Sequence, residues 1–202
     1  TFDLLTPVAI FGALAYYPVS YPESGLSGKR VANATMNLTG DAILSVDTLV
    51  DGSYGLGGIA AGGTYYVTPS KTDDSPTANG VDVLDLIAIQ KHIAGVAALD
   101  SPYKLLAADV NADESIDILD LIAIQKLIAA VTNSLPAGLW RFVPADYAFP
   151  DPQAPWDAPT NRSYANLVAN ATDADFIAIK LGDVELCEVN EARISHSCSV
   201  QV

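Results

Sequence analysis

The segment VAIFGALAYY, residues 8–17, is the first of four short stretches that are typical of β-strands. It is rich in apolar and aromatic residues and is followed by PESGLSG at residues 22–28, which is typical of a turn. The other three stretches are RVANATMNLT (30–39), AILSVDTLV (42–50) and GTYYVTPS (63–70), again separated by turn-forming residues. This spacing predicts a small antiparallel β-sandwich.

After Lys71 the hydrophobic pattern changes to that of helices. The segment DVLDLIAIQKHI at residues 82–93 returns 35 positions later as DILDLIAIQKLI at residues 117–128. In both copies Leu and Ile recur at near-helical spacing. The sequence therefore predicts the same short helix twice, and FIAIKLGDV at residues 176–184 is similar to that helix once more.

The second helix is preceded by DVNADESIDILD, residues 109–120, whose oxygen-bearing residues follow the spacing of an EF-hand calcium loop. Position 6 of such loops is normally Gly, because the turn needs a positive φ, and here it is Glu114. The predicted Ca²⁺ ligands are Asp109, Asn111, Asp113, Ser115 through its backbone carbonyl, Asp117 and Asp120. The alternative is an acidic helix start that binds no ion.

The loop before the first helix matches this spacing less well. Its third and fifth positions are Pro76 and Ala78, which have no side-chain oxygen, and Asn79 stands at the turn position. The predicted ligands of this weaker site are Asp73, Asp74, Asp82 and Asp85. The alternative is a loop held by helix capping and an Asn-Gly turn alone.

Composition excludes some classes of partner. The chain has 24 acidic and 10 basic residues, and a net charge of −14 disfavours nucleic acid while favouring cations or solubility. No unbroken apolar run approaches the roughly 18 residues of a membrane span. The two histidines, His92 and His196, lie in no catalytic motif, so we predict a protein that is not an enzyme.

Several features indicate an exported protein. The start, TFDLLTPVAIFG, has no basic leader and is typical of a mature end. Predicted glycosylation sites are Asn33, Asn37, Asn161 and Asn170, each in an N-x-[ST] pattern that matters only where the modifying enzyme is present. Cys187 and Cys198 predict one local disulfide, with two free thiols as the alternative. We therefore expect an extracellular or cell-surface location.

The two loop–helix units, with Asp at position 12 and helices opening LDLIAIQK, resemble type I dockerins. GSYGLGGIAAGGTYYVTPSK, residues 52–71, resembles prealbumin-like domains of carboxypeptidase regulatory regions and bacterial surface proteins. In such surface proteins the sandwich precedes the dockerin. The resemblance implies a structural sandwich and calcium-dependent binding of a cohesin-like protein.

In dockerins, loop positions 10 and 11 and the helix residues just beyond them contact the partner. The resemblance thereby assigns partner binding to Val83, Leu84, Lys91, Ile118, Leu119 and Lys126. Aliphatic residues replace the usual small hydroxyl pair at these loop positions. Either the partner surface is apolar, or another part of the same assembly covers these residues.

The predicted fold class is α+β with three successive modules. An antiparallel β-sandwich spans residues 1–70, a duplicated loop–helix dockerin spans 71–134, and a Pro- and aromatic-rich wrap with Cys-bearing strands spans 135–202. The predicted function is non-catalytic, calcium-dependent attachment to another protein. One alternative is a self-assembling fibre subunit, because residues 1–9 are apolar enough to exchange a strand with a neighbouring copy. A second alternative is the accessory end of a secreted polysaccharide-active enzyme.

Overall fold

The computed structural model describes residues 6–17 and 30–185. Its eight strands are β1 Val8–Tyr16, β2 Thr35–Gly40, β3 Leu44–Asp47, β4 Ser53–Ile59, β5 Gly63–Ser70, β6 Trp140–Pro144, β7 Arg162–Leu167 and β8 Phe176–Lys180. Its three helices are α1 Val83–Ile93, α2 Pro102–Ala108 and α3 Ile118–Ile128, and a 3-10 turn spans Pro155–Asp157.

The strands form two four-stranded sheets, ordered β4-β1-β8-β6 and β3-β2-β5-β7. In the second sheet the β2 registers are antiparallel, and Met36 lies opposite both Val46 and Pro69. In the first sheet β1 is antiparallel to β4 but parallel to β8, where Leu14 lies opposite Phe176. All five residues of β8 are buried, as expected of an apolar strand inside a sheet.

The predicted fold class is wrong. The described chain is mostly β, with two sheets and three short helices, and it does not form a sandwich followed by a separate duplicated loop–helix dockerin. Strands β6, β7 and β8 come from the predicted extension, yet they pair into the same sheets as the N-terminal strands. The segment that is similar to the repeat helix, residues 176–184, forms β8 because strand pairing and burial override its helical pattern.

Strand β1 has partners along both edges. Beyond its pairing with β4, the Phe11 N–H donates to the Ala171 carbonyl at 2.8 Å, and the Ala171 N–H donates to the Ala9 carbonyl at 3.0 Å. Gly12 is required here, because a Cβ would stand 2.2 Å from the Ala174 carbonyl oxygen. Of the predicted exchange segment, Val8 and Ala9 therefore pair within their own chain, and residues 1–5 lie outside the described residues.

The chain divides into two compact units. One contains the described residues up to Lys71 together with Phe142–Ala148 and Ala158–Ala178. The other contains Thr72–Arg141, Phe149–Asp157 and the described residues from Ile179 onward. All three helices belong to the second unit, and the division falls within β6 and β8.

Helices α1 and α3 begin in the same way. At α1 the Asp82 carboxylate accepts from the Leu84 N–H at 2.7 Å, and Asp85 accepts from the Asp82 N–H at 2.8 Å. Asp117 and Asp120 repeat this reciprocal capping at α3. Such a box satisfies N–H groups that have no acceptor inside the helix, so the repeated Asp pair explains why both helices start where they do.

Candidate metal centre

The second loop lies between α2 and α3. Its first residue, Asp109, is the C-cap of α2 and is 2 % exposed, and its last predicted ligand, Asp120, is fully buried. Glu114, at position 6, has a φ of +69°, which is the left-handed conformation that this position requires. For a residue with a Cβ this conformation costs about 1 kcal/mol.

Backbone N–H groups orient the acidic side chains of this loop. The two Asp109 carboxylate oxygens accept from the N–H groups of Asp113 and Glu114, both at 3.1 Å. Asn111 Oδ1 accepts from the Asp113 N–H at 3.0 Å, and Asp113 Oδ1 accepts from the Ser115 N–H at 3.1 Å. The side chains at positions 1, 3 and 5 are therefore turned towards the same tight turn.

Asp120 links both ends of the loop. Its Oδ1 accepts from the Val110 N–H and its Oδ2 from the Asp117 N–H, each at 3.0 Å. Burial raises the pKa of Asp120, and the negative charge of Asp109 raises it further. Burial also raises the pKa of Asp109, with a contribution from Asp113. Backbone hydrogen bonds lower both pKa values without cancelling the effect of burial, so a bound cation would further stabilise the charged carboxylates.

Protein cations among the described residues do not stabilise these carboxylates by direct contact. The described ion pairs involve Lys104, Arg162 and Lys180, and none of them includes a carboxylate of the second loop. Arg141 attracts Asp109 electrostatically, while its Nη2 donates to the Trp156 carbonyl at 2.9 Å. The donors present are hard oxygen atoms, which are the ligands that Ca²⁺ prefers, so this loop fits the predicted ion in its chemistry.

The first loop is organised differently. Lys180 Nζ donates to Asp74 Oδ2 at 2.7 Å and to the Thr77 carbonyl at 2.8 Å. The left-handed residue of the turn is Gly80, with a φ of +82°, one position after the expected Asn79. Sequence reasoning missed Lys180, although a single Lys in the apolar run FIAIK was the available signal.

The other predicted first-loop ligands are occupied by backbone donors or face solvent. Asp85 Oδ1 accepts from the N–H groups of Val184 and Glu185, at 2.8 and 2.9 Å, and its Oδ2 accepts from Asp82. Burial raises the pKa of Asp85 to about 6, although these three hydrogen bonds lower it. Asp73 is exposed.

Within residues 6–17 and 30–185, no group of three or more His, Cys, Asp or Glu side chains already stands in a metal-holding arrangement. The calcium assignments therefore remain predictions for both loops. The donor chemistry favours the second loop, whereas the ammonium on Asp74 disfavours the first.

The predicted partner-binding residues lie on α1 and α3 and face solvent. Val83 and Ile118 are both 60 % exposed, Leu119 is 56 % exposed, and Leu84 is 37 % exposed. Lys91 and Lys126 are exposed as well. The described chain therefore leaves these aliphatic side chains exposed to water. Exposed apolar side chains that form a patch are unfavourable unless another surface covers them.

The predicted modification sites differ in accessibility. Asn33, Asn161 and Asn170 are exposed. Asn37 is half-buried on β2, and its amide nitrogen donates to Ser70 Oγ at 3.1 Å, so it is the least accessible of the four. The predicted disulfide of Cys187 and Cys198 lies outside the described residues.

His92 has a structural contact, since its Nδ1 accepts from the Leu99 N–H at 3.1 Å. His196 lies outside the described residues. Among the described helices, none is long and apolar enough to cross a membrane.

Comparison of the chain with protein-family models, with curated proteins and with solved structures found no match. The resemblances to dockerins and prealbumin-like domains therefore rest on the sequence motifs alone.

Proposed function

We propose that this protein is a non-catalytic, calcium-dependent assembly module that attaches to another protein outside the cell. The observation that carries the proposal is the second loop. Its buried carboxylates, Asp109 and Asp120, have raised pKa values and no ion pair with the described lysines and arginines. A divalent cation bound by loop oxygens would offset their repulsion.

The exposed aliphatic residues support attachment to a protein. Ile118 and Leu119 directly follow Asp117, a predicted ligand and the N-cap of α3. An ion that orders the loop would therefore also order the start of the helix that carries them. An apolar partner surface is the chemistry that matches these side chains, and a cohesin-like domain is the partner class that the dockerin resemblance implies.

The extracellular location rests on the exposed sequons of Asn33, Asn161 and Asn170. Millimolar calcium is present outside cells, and loops of this type bind Ca²⁺ with dissociation constants of about 10⁻⁹ to 10⁻³ M. A site of even modest affinity would therefore be filled there.

Calcium binding is tested by titration calorimetry of the full chain. Asp109→Asn removes one charge from the predicted ligand set, and we expect calcium affinity to fall by about 100-fold, at the upper end of what even outer-shell changes cost. Asp100→Asn is the matched control, because Asp100 pairs with Lys104 outside the loop. Absence of calcium binding by the unaltered chain would sink the proposal.

Attachment is tested by light scattering after size-exclusion chromatography, in millimolar calcium and in excess chelator. A panel of purified type I cohesin domains serves as the probe, and the chain alone tests self-association. We expect a calcium-dependent complex that Leu119→Glu weakens by at least about 10-fold, because it places a charge in an apolar contact. Val168→Glu, at another exposed aliphatic residue, is the control and should have no effect.

A complex that forms equally well in chelator would contradict calcium-dependent attachment. Oligomers of the chain alone, without any cohesin, would favour the fibre alternative instead. Against that alternative, Val8 and Ala9 of the exchange segment are already paired within the chain.

A further inference from the structure

Lys180 is the most buried cation among the described residues. Its side chain is 1 % exposed, and it ends β8, a strand that is otherwise apolar. A charged ammonium is strongly disfavoured in such a place unless protein groups replace its water. Three groups do so: Asp74 Oδ2 at 2.7 Å, the Thr77 carbonyl at 2.8 Å and the Trp140 ring, whose centroid is 5.1 Å away.

Two of these three groups belong to the first loop. Asp74 stands at position 1 of that loop, where the second copy has Asp109. A carboxylate oxygen and a backbone carbonyl oxygen are the donor types that a calcium loop offers to its ion. In the first copy the same donor types contact an ammonium from elsewhere in the chain.

The remaining positions of the first loop are also unsuited to a divalent ion. Pro76 and Ala78 supply no side-chain oxygen at positions 3 and 5. Asp85, at position 12, accepts three backbone hydrogen bonds, two of them from Val184 and Glu185 just after β8. The first loop therefore lacks ligands that the second has, and its Asp74 contacts an ammonium, whereas no described lysine or arginine forms an ion pair with a carboxylate of the second loop.

We infer that Lys180 serves as the built-in cation of the first loop, so that the chain takes one calcium ion, at the second loop, instead of two. The two loop–helix units then differ in their dependence on calcium: the start of α1 is held with or without the ion, while the start of α3 depends on it. The inference rests on the proposed function for its second half, since only the second loop is assigned an ion.

The first test uses the full chain without substitutions. Native mass spectrometry in calcium counts the bound ions, and hydrogen exchange with and without chelator reports each loop separately. We expect one ion per chain, an unchanged exchange rate at residues 74–85, and exchange at residues 109–120 that becomes at least about 10-fold faster in chelator. Two ions per chain, or calcium-dependent exchange at residues 74–85, would overturn the inference and leave the proposed function standing.

The second test uses substitutions. Asp109→Asn should reduce the bound ions from one to none, whereas Asp74→Asn should leave the count at one. Lys180→Met should speed exchange at residues 74–85 by at least about 10-fold, while Lys104→Met, which breaks an exposed pair, should not. Should Lys180→Met fail to fold, the Asp74→Asn count still decides the matter where that variant has the circular dichroism of the unaltered chain, because a lower count would then place an ion in the first loop.

Failure of the proposed function has a different signature. One outcome is an unaltered chain that binds no ion while hydrogen exchange at residues 74–85 is still faster in Lys180→Met. In that case calcium-dependent assembly is wrong and the role of Lys180 stands. Exchange at residues 74–85 that is indifferent to Lys180→Met would overturn the role of the lysine.

Discussion

The two loop–helix units have nearly the same helix and two different loops. Helices α1 and α3 share the sequence LDLIAIQK and the same reciprocal capping by two Asp residues. In the first unit a lysine from β8 neutralises Asp74, while in the second unit Asp109 has no such contact among the described residues. A duplicated helix therefore does not imply a duplicated site, because the charge balance of each loop is set by what packs against it.

The largest effect should come from Lys180→Met, which removes the positive charge that Asp74 contacts in the first loop–helix unit. Breaking a buried ion pair leaves a buried charge uncompensated, so we expect a loss of about 3–5 kcal/mol in the free energy of unfolding. Urea denaturation measures the change. Lys104→Met is the control, and it should cost at most about 1 kcal/mol, because the pair of Lys104 with Asp100 is exposed. Equal losses of unfolding free energy in the two variants would show that Lys180 contributes no more than a pair whose carboxylate faces solvent, which contradicts its role in the first loop.

A second prediction concerns how the stability contributed by the first loop–helix unit depends on pH. Burial raises the pKa of Asp85 from an ordinary value of 3.8 to about 6. Because its pKa is raised, protonated Asp85 stabilises the folded state. This contribution to the free energy of unfolding is complete below pH 3.8 and is lost as the pH rises through about 6. Relative to Asp85→Asn, the unaltered protein should lose about 2 kcal/mol of stability between pH 4 and pH 7.

The measurement for Asp85 is urea denaturation of both proteins at several pH values. Asp100→Asn is the control with the opposite sign. Lys104 lowers the pKa of Asp100, so the stabilising contribution of that carboxylate is present at high pH and is lost as pH falls. A pH-independent difference between the unaltered protein and Asp85→Asn would contradict the effect of burial at this site.

The smallest expected change in stability concerns the loop of the second loop–helix unit. Glu114 has a φ of +69°, which glycine adopts without strain, so Glu114→Gly should raise the free energy of unfolding by about 0.5–1 kcal/mol in chelator. Thermal unfolding measures the change. Glu114→Ala keeps the Cβ and the strain, so it should differ from the unaltered protein by only a few tenths of a kcal/mol. A stabilisation that is equal in Ala and Gly would show that the side-chain charge matters and the backbone strain does not.

Local features were predictable where near neighbours decide them. The segments at residues 8–17, 42–50 and 63–70 contain β1, β3 and β5, and the segment at 30–39 contains β2 except for its last residue, Gly40. The helical spacing of Leu and Ile also located α1 and α3. In each case hydrogen bonds and side-chain periods within a few residues determine the element.

Features that depend on distant partners were not predictable in this way. Strand β4 lay in a Gly-rich stretch interpreted partly as a turn, and β8 had the apolar pattern of a helix. The fold class was wrong because β7 and β8 pair with N-terminal strands more than 60 residues away in the chain, and β6 joins the same sheet through β8, which no local pattern contains. The ion pair of Lys180 with Asp74 joins residues 106 positions apart, so the first loop looked like a weak calcium site.

Local sequence is enough to specify the two helices, four of the strands and the acidic spacing of the second loop, since each depends on contacts within about one turn or one strand. Which strands share a sheet, and which loop is given a lysine, depends on the folded chain, because burial changes the surroundings of each charged group. Lys180 and Asp85 acquire their roles only when β8 and the residues after it remove water from around the first loop.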